Sequence, residues 1–161
     1  MALLPALVAS VSTLTSSGTF TDTQTVTIAG KVYTSQTTLT DVDGNFLIGA
    51  NQTASHLNLM NAINLGSGAG TTYATAMTIH PLVKATAATG TTTVIAAKLK
   101  GTVGNEFRTT ETQTNASWTS TVMASGTGNF KEALDDIQDS MQCNAEVLAA
   151  LQNCLSFVDA D

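Results

Sequence analysis

Residues 24–39 read QTVTIAGKVYTSQTTL, and this stretch decides the class of fold. Val26 and Ile28 alternate with Thr25 and Thr27, the two-residue period of a half-buried strand. Ala29-Gly30 then offers a two-residue turn. Lys31–Leu39 returns with Val32 on one face and Tyr33 on the other, completing a β-hairpin. A hairpin made from Thr, Val, Ile and Tyr leads us to expect strands on either side of it.

The stretch downstream fits that expectation. Asp41-Val-Asp-Gly-Asn45 has turn chemistry, because Asx side chains bond the local backbone and Gly accepts positive φ. Phe46–Ile48 is a short third strand. A helix is expected over 53–64, with Asn51 or Thr53 as N-cap and an apolar stripe of Ala54, Leu57, Met60 and Ile63. Asn64, Gly66, Gly68 and Gly70 end it, and Thr71–Thr78 reads as a short second helical turn. His80-Pro81 marks a break, since a residue before proline avoids the α region. Leu82–Ala87 and Thr91–Lys98 read as strands around Thr89-Gly90. Gly101–Asn105 is a loop, Phe107–Thr112 a strand, and Asn115–Met123 adds another through Trp118 and Val122. The expected class is α+β: a small, mainly antiparallel sheet over 24–124 with one helix packed across a face.

The segments flanking this domain differ from it. Residues 1–23 begin with an apolar run and pass into Ser/Thr-rich sequence, read as an arm and linker. The run has no Lys or Arg and contains Pro5, which favours a docking arm (Leu3, Leu4, Leu7, Val8) over a secretory signal. Residues 125–161 begin with a Ser125–Asn129 hinge. Beyond it, Phe130, Leu134, Ile137, Met141, Asn144, Leu148, Leu151 and Leu155 recur in steps of four and three, a heptad stripe. Leu134, Met141, Leu148 and Leu155 take position a; Phe130, Ile137, Asn144 and Leu151 take position d. Glu132, Asp135, Asp136, Asp139 and Glu146 all fall on b, c or f, the outer face. A polar residue at one core position, here Asn144, costs stability and fixes register or helix number. The competing reading is that Asn144 faces solvent, or that the helix folds back on its own domain. Leu at a, with small or neutral e and g positions, favours a trimer.

Charge separates the same regions. The chain of 161 residues is only 11% charged, 5% aromatic and 43% hydrophobic, with net charge −6. Residues 1–130 hold five acids and five bases, whereas 131–161 hold seven acids against Lys131. The bases do not alternate with aromatics, so nucleic-acid binding is not expected. No apolar run has membrane-spanning length. The apolar content argues against disorder.

Catalytic and metal chemistry find little support. His56 and His80 are the only histidines, and neither lies at a spacing that completes a zinc site with Cys143 and Cys154. The two cysteines are eleven residues apart on one expected helix, about 16 Å by helix rise, too far for a disulfide within it. Asp41–Asn45 has the front of a calcium loop but lacks the distal bidentate Glu, and a turn is favoured. Gly101-Thr-Val-Gly-Asn105 has no following Lys-Ser/Thr for a phosphate cradle. No histidine stands in a nucleophile-activating pattern. We expect no enzyme activity and no cofactor.

A set of short motifs in fixed order carries a resemblance. They are Thr25-Val-Thr-Ile-Ala-Gly-Lys-Val-Tyr-Thr, Thr38-Leu-Thr, Gly44-Asn-Phe-Leu-Ile-Gly-Ala, Asn61-Ala-Ile-Asn, Gly68-Ala-Gly-Thr-Thr-Tyr, His80-Pro, Ala97-Lys, Gly101-Thr-Val-Gly-Asn and Thr109-Thr-Glu-Thr. Over Thr25–Thr114 the chain resembles a domain of tailed-bacteriophage virion proteins, seen in decoration, fibre and tail components. The resemblance implies a structural role in a virion and no catalytic residues. Its partners would be a second and third copy of itself, with the major capsid protein or a tail component. The expected function is a capsid decoration (cement) protein. A tail, baseplate or fibre-base subunit is one alternative. A glycan- or receptor-binding module using Trp118, Tyr33 or Tyr73 is another.

Overall fold

The computed structural model describes residues 6–128, 141–142 and 145–148. Its strands are β1 (Ala9–Ser16), β2 (Thr25–Ile28), β3 (Lys31–Gln36), β4 (Asn45–Leu47), β5 (Val83–Thr89), β6 (Thr92–Lys100), β7 (Thr109–Glu111) and β8 (Ala116–Trp118). One α-helix, α1 (Gln52–Asn64), and a 3₁₀ turn (Thr102–Glu106) complete the elements. The class is α+β, as the sequence indicated.

The β2–β3 hairpin forms with Val26 opposite Tyr33 and Ile28 opposite Lys31. Its two-residue turn puts both Ala29 (φ 45°) and Gly30 (φ 86°) in the left-handed region, the primed geometry that matches strand twist. A second hairpin joins β5 to β6, closed by Thr89 opposite Thr92. Asn51 caps α1 by accepting from the Ala54 N–H at 2.9 Å.

The strands make two four-stranded sheets rather than one. The first has order β5-β6-β1-β8 and the second β4-β3-β2-β7. All pairings are antiparallel except β3 with β4, which is parallel. α1 packs on the edge strands β5 and β4 and on β6, while β7 touches β8 on the opposite side. The helix thus closes one flank between the sheets and the β7–β8 contact closes the other. Between them lies one core, including Leu14, Phe20, Val26, Ile28, Tyr33, Phe46, Leu59, Ile63, Val83 and Ile95.

Several expectations are corrected. Ala9–Ser16, within the expected arm and linker, is an interior strand paired with both β6 and β8. Its inward residues are Ser10, Ser12, Leu14 and Ser16, while Val11 faces out. The apolar pattern that marks a strand is therefore inverted over most of its length. Leu57, placed on the packed stripe of α1, is 45% exposed; the buried residues are Ser55, His56, Asn58, Leu59, Ala62 and Ile63. Thr71–Thr78 forms turns rather than helix, and 102–106 is a 3₁₀ turn rather than open loop. Residues 141–142 and 145–148 are helical. The remainder of the expected helix over 130–155 lies outside the described residues.

Candidate functional site

The residues singled out from sequence fall in three places. Leu3, Leu4, Phe130, Leu134, Ile137, Asn144, Leu151 and Leu155 lie outside the described residues. Leu7 is half-buried beside Gly128, and Val8 bridges to Thr127, its N–H donating to the Thr127 carbonyl at 3.0 Å. Leu7 and Val8 are thus fastened to the segment around Thr127 and Gly128. Met141 and Leu148, both at heptad position a, are 67% and 60% exposed. The other described residues of this stretch, Gln142, Ala145, Glu146 and Val147, are exposed as well, so exposure does not distinguish the heptad face from the rest of the helix.

The histidines occupy polar clusters that sequence reading missed. His56, fully buried on α1, sits between Ser16 of β1 and Thr93 of β6. Its Nε2 is 2.8 Å from Ser16 Oγ, and its Nδ1 is 2.7 Å from Thr93 Oγ1. Gln52 Nε2 donates to Ser16 O at 3.1 Å and to Ser16 Oγ at 3.3 Å. The hydrogen-bond inventory selects one tautomer. Ser16 donates to Nε2, Nδ1–H donates to Thr93 Oγ1, and the Thr93 hydroxyl turns to the His56 carbonyl at 3.5 Å. Every polar hydrogen then has an acceptor. Burial lowers the His56 pKa to about 4, so the ring is neutral near pH 7. A serine donating to a histidine has the outline of an activated nucleophile, but Ser16 is itself buried, and the pair reads as a packing element that ties α1 to the first sheet.

His80 ties the two sheets together. Its Nε2–H donates to the Ile28 carbonyl of β2 at 2.8 Å, while its Nδ1 accepts from the N–H groups of Leu82 and Val83 at 3.1 Å each. Its ring stacks on Tyr33 with centroids 6.2 Å apart. Burial lowers its pKa, and Lys31 and Lys98 act in the same direction.

The Asp41–Asn45 segment is a turn whose carboxylates are occupied. Asp41 Oδ1 accepts from the Ala76 N–H at 2.7 Å. Asp43 Oδ1 accepts from the Thr78 N–H at 2.8 Å and from Lys31 Nζ at 3.0 Å. Partial burial works against the Asp43 charge, but the Thr78 and Lys31 hydrogen bonds prevail and lower its pKa. The loop is used to fasten residues 74–78 to the hairpin. Among the described residues no group of three His, Cys, Asp or Glu is placed to hold a metal ion, and no helix is long and apolar enough to cross a membrane.

The aromatic residues considered for sugar stacking are in the core. Tyr33 is fully buried, and Tyr73 and Trp118 are buried with it, so none offers a ring face to solvent. Trp118 Nε1 donates to the Thr110 carbonyl at 3.2 Å and Tyr73 Oη to the Gly66 carbonyl at 2.5 Å. An open cavity of about 540 Å³ lies among Thr27, Gly30, Leu82, Glu106, Phe107 and Arg108. No family model, no curated protein and no solved structure matches this chain.

Proposed function

We propose that the protein is a non-enzymatic structural subunit of a tailed-bacteriophage virion, a decoration or cement protein that binds the head surface as a homotrimer. In this reading Phe130–Leu155 forms a continuous helix whose heptad face joins three copies, and the β-rich head meets the capsid with the apolar arm. The observation that carries it is the heptad spacing of Phe130, Leu134, Ile137, Met141, Asn144, Leu148, Leu151 and Leu155, with Met141–Gln142 and Ala145–Leu148 in helical turns and exposed on every side. The order of motifs over Thr25–Thr114 supplies the virion context. Burial of the three aromatic residues removes the feature that favoured a glycan-binding module. A tail, baseplate or fibre-base subunit is the second reading, because the same seam can join a larger tail assembly.

Two measurements test this. Sedimentation of the full chain at micromolar concentration is expected to give a trimer, and Asn144→Leu to change the mass distribution by removing the polar seam residue. A wild-type monomer overturns self-association in solution. Purified protein added to undecorated heads is expected to occupy capsid symmetry positions in an electron-microscopic reconstruction. Binding to tails alone replaces the cement reading with the second one.

A further inference from the structure

The first sheet ends on one side at β5, and among the described residues the hydrogen bonds that close this edge come from side chains. The Lys98 N–H donates to the Leu82 carbonyl at 2.9 Å, so Leu82 faces β6. The alternation of an antiparallel ladder then turns the backbone polar groups of Val83 and Ala85 away from β6, to the open edge. Asn64, the last residue of α1, meets Ala85 there. Its Nδ2 donates to the Ala85 carbonyl at 2.8 Å, and its Oδ1 accepts from the Ala85 N–H at 2.9 Å. A side-chain amide carries the same donor and acceptor as a peptide unit. This pair of bonds is the one that a residue of a neighbouring antiparallel strand makes. One residue pair further along the edge, the Val83 N–H donates to His80 Nδ1 at 3.1 Å.

The other sheet edges are closed by backbone or by packing. At β4 the Leu47 N–H donates to the Thr72 carbonyl at 2.8 Å, and the Asn45 carbonyl accepts from the Ala74 N–H at 2.9 Å. At β7 the Thr109 N–H donates to the Thr121 carbonyl at 2.9 Å, and the Phe107 carbonyl accepts from the Met123 N–H at 2.9 Å. β8 lies against β7, with Trp118 Nε1 on the Thr110 carbonyl. A main-chain cover gives way only when a whole segment moves, whereas a side chain leaves by rotation about its own bonds. β5 is thus the edge that a single substitution uncovers, and an uncovered edge is a template for another strand.

We propose that Asn64 guards β5: its amide fills the place of a neighbouring strand and keeps β5 from pairing with β5 of a second copy. Because β4, β7 and β8 are covered, the strand that an uncovered β5 meets in purified protein is another β5. An antiparallel pair centred on Ala85 sets Lys84 opposite Thr86 of the other copy. Lys84, the charged residue of this strand, then does not face its own counterpart, so charge alone does not exclude the pairing. The bulge between Ala85 and Ala87 bends the strand beyond that point, which confines pairing to the stretch that Asn64 covers. This inference concerns the β-rich head alone and is independent of the virion reading and of the heptad segment.

The test is sedimentation of the full chain at micromolar concentration, each variant read against the mass of the wild type whatever its own oligomer. Asn64→Ala is expected to raise that mass twofold or more while the circular dichroism of the head is retained. Asn64→Asp keeps the acceptor for the Ala85 N–H and is expected to associate less. Thr86→Lys, added to either variant, sets lysines against each other across the pair. It is expected to return the wild-type mass at about 0.05 M NaCl and to lose this effect at about 0.5 M, where the repulsion is screened. In the wild type, the Ala85 amide is expected to exchange at least about tenfold more slowly than an unstructured amide, although it faces away from β6. Unchanged mass in both Asn64 variants would overturn the proposal, as would an Ala85 amide that exchanges freely. Association that Thr86→Lys does not relieve would overturn it too, because it marks aggregation through unfolded chains.

Discussion

Ser16 Oγ lies 2.8 Å from His56 Nε2 in a fully buried setting. The bond joins β1 to α1 across the core, and the ring must be neutral to accept it. Its folded pKa of about 4 is below the ordinary value of 6.5. The unfolded chain therefore binds the proton first as pH falls. Stability is expected to be unaffected by this group above pH 6.5 and to decline between 6.5 and 4, by up to about 3 kcal/mol. Urea titrations at pH 7.5, 6, 5 and 4 measure it. His56→Gln is expected to lower stability at pH 7.5 and to flatten the acid slope; an unchanged slope would refute the assignment.

His80 makes a more specific prediction, because its two nitrogens do different work. Asn at position 80 can present Oδ1 to the Leu82 and Val83 N–H groups but cannot reach the Ile28 carbonyl. His80→Ala loses both sets of bonds and also leaves a cavity. We expect losses of about 1–2 kcal/mol for Asn and about 3 kcal/mol or more for Ala, since buried groups left unpaired cost 1–3 kcal/mol each. Equal losses for the two variants would show that the ring is held by packing alone.

Gly104 tests the inward serines of β1. A methyl group built there would lie 2.7 Å from Ala97 Cβ and 2.8 Å from Ser10 Oγ. Gly104→Ala is expected to cost about 1–3 kcal/mol by overpacking. Ser10→Ala in the same chain does not relieve it, because the Ser10 Cβ is itself only 2.9 Å away. Thermal unfolding of the two single variants and the double variant reads this; recovery in the double variant would contradict it.

Leu65 ends α1 at φ 52°, ψ 47°, a left-handed conformation that L-residues with a Cβ adopt at a cost. Leu65→Gly is expected to stabilise by about 0.5–1 kcal/mol, offset in part by the greater freedom of glycine when unfolded. A rise in the melting temperature at unchanged cooperativity is the predicted result, and a fall would mean that the leucine packs usefully.

Local chemistry was legible where it acts over a few residues. The β2–β3 hairpin, the β5–β6 turn at Gly90 and the Asn51 cap follow from alternation, turn residues and capping, and each appears at or within a residue or two of its expected place. The role of Asp41–Asn45 as a turn also followed from its side chains. By contrast, β1 was hidden because Ser10 and Ser16 look like linker sequence until Asn105 and His56 arrive as partners, while Ser12 is buried with its hydroxyl unpaired.

The same reason separates the two levels for the whole protein. The sequence by itself determined the α+β class, the hairpins and the near-neutral charge of residues 1–130. These depend on periodicity and composition, which a linear chain carries. Only the tertiary structure decided that there are two sheets and that serines and histidines belong inside. Burying a polar side chain is unfavourable until a specific partner pays back its lost water. That partner can be far away in sequence: Thr93 is 37 residues from His56, and Asn105 is 95 from Ser10.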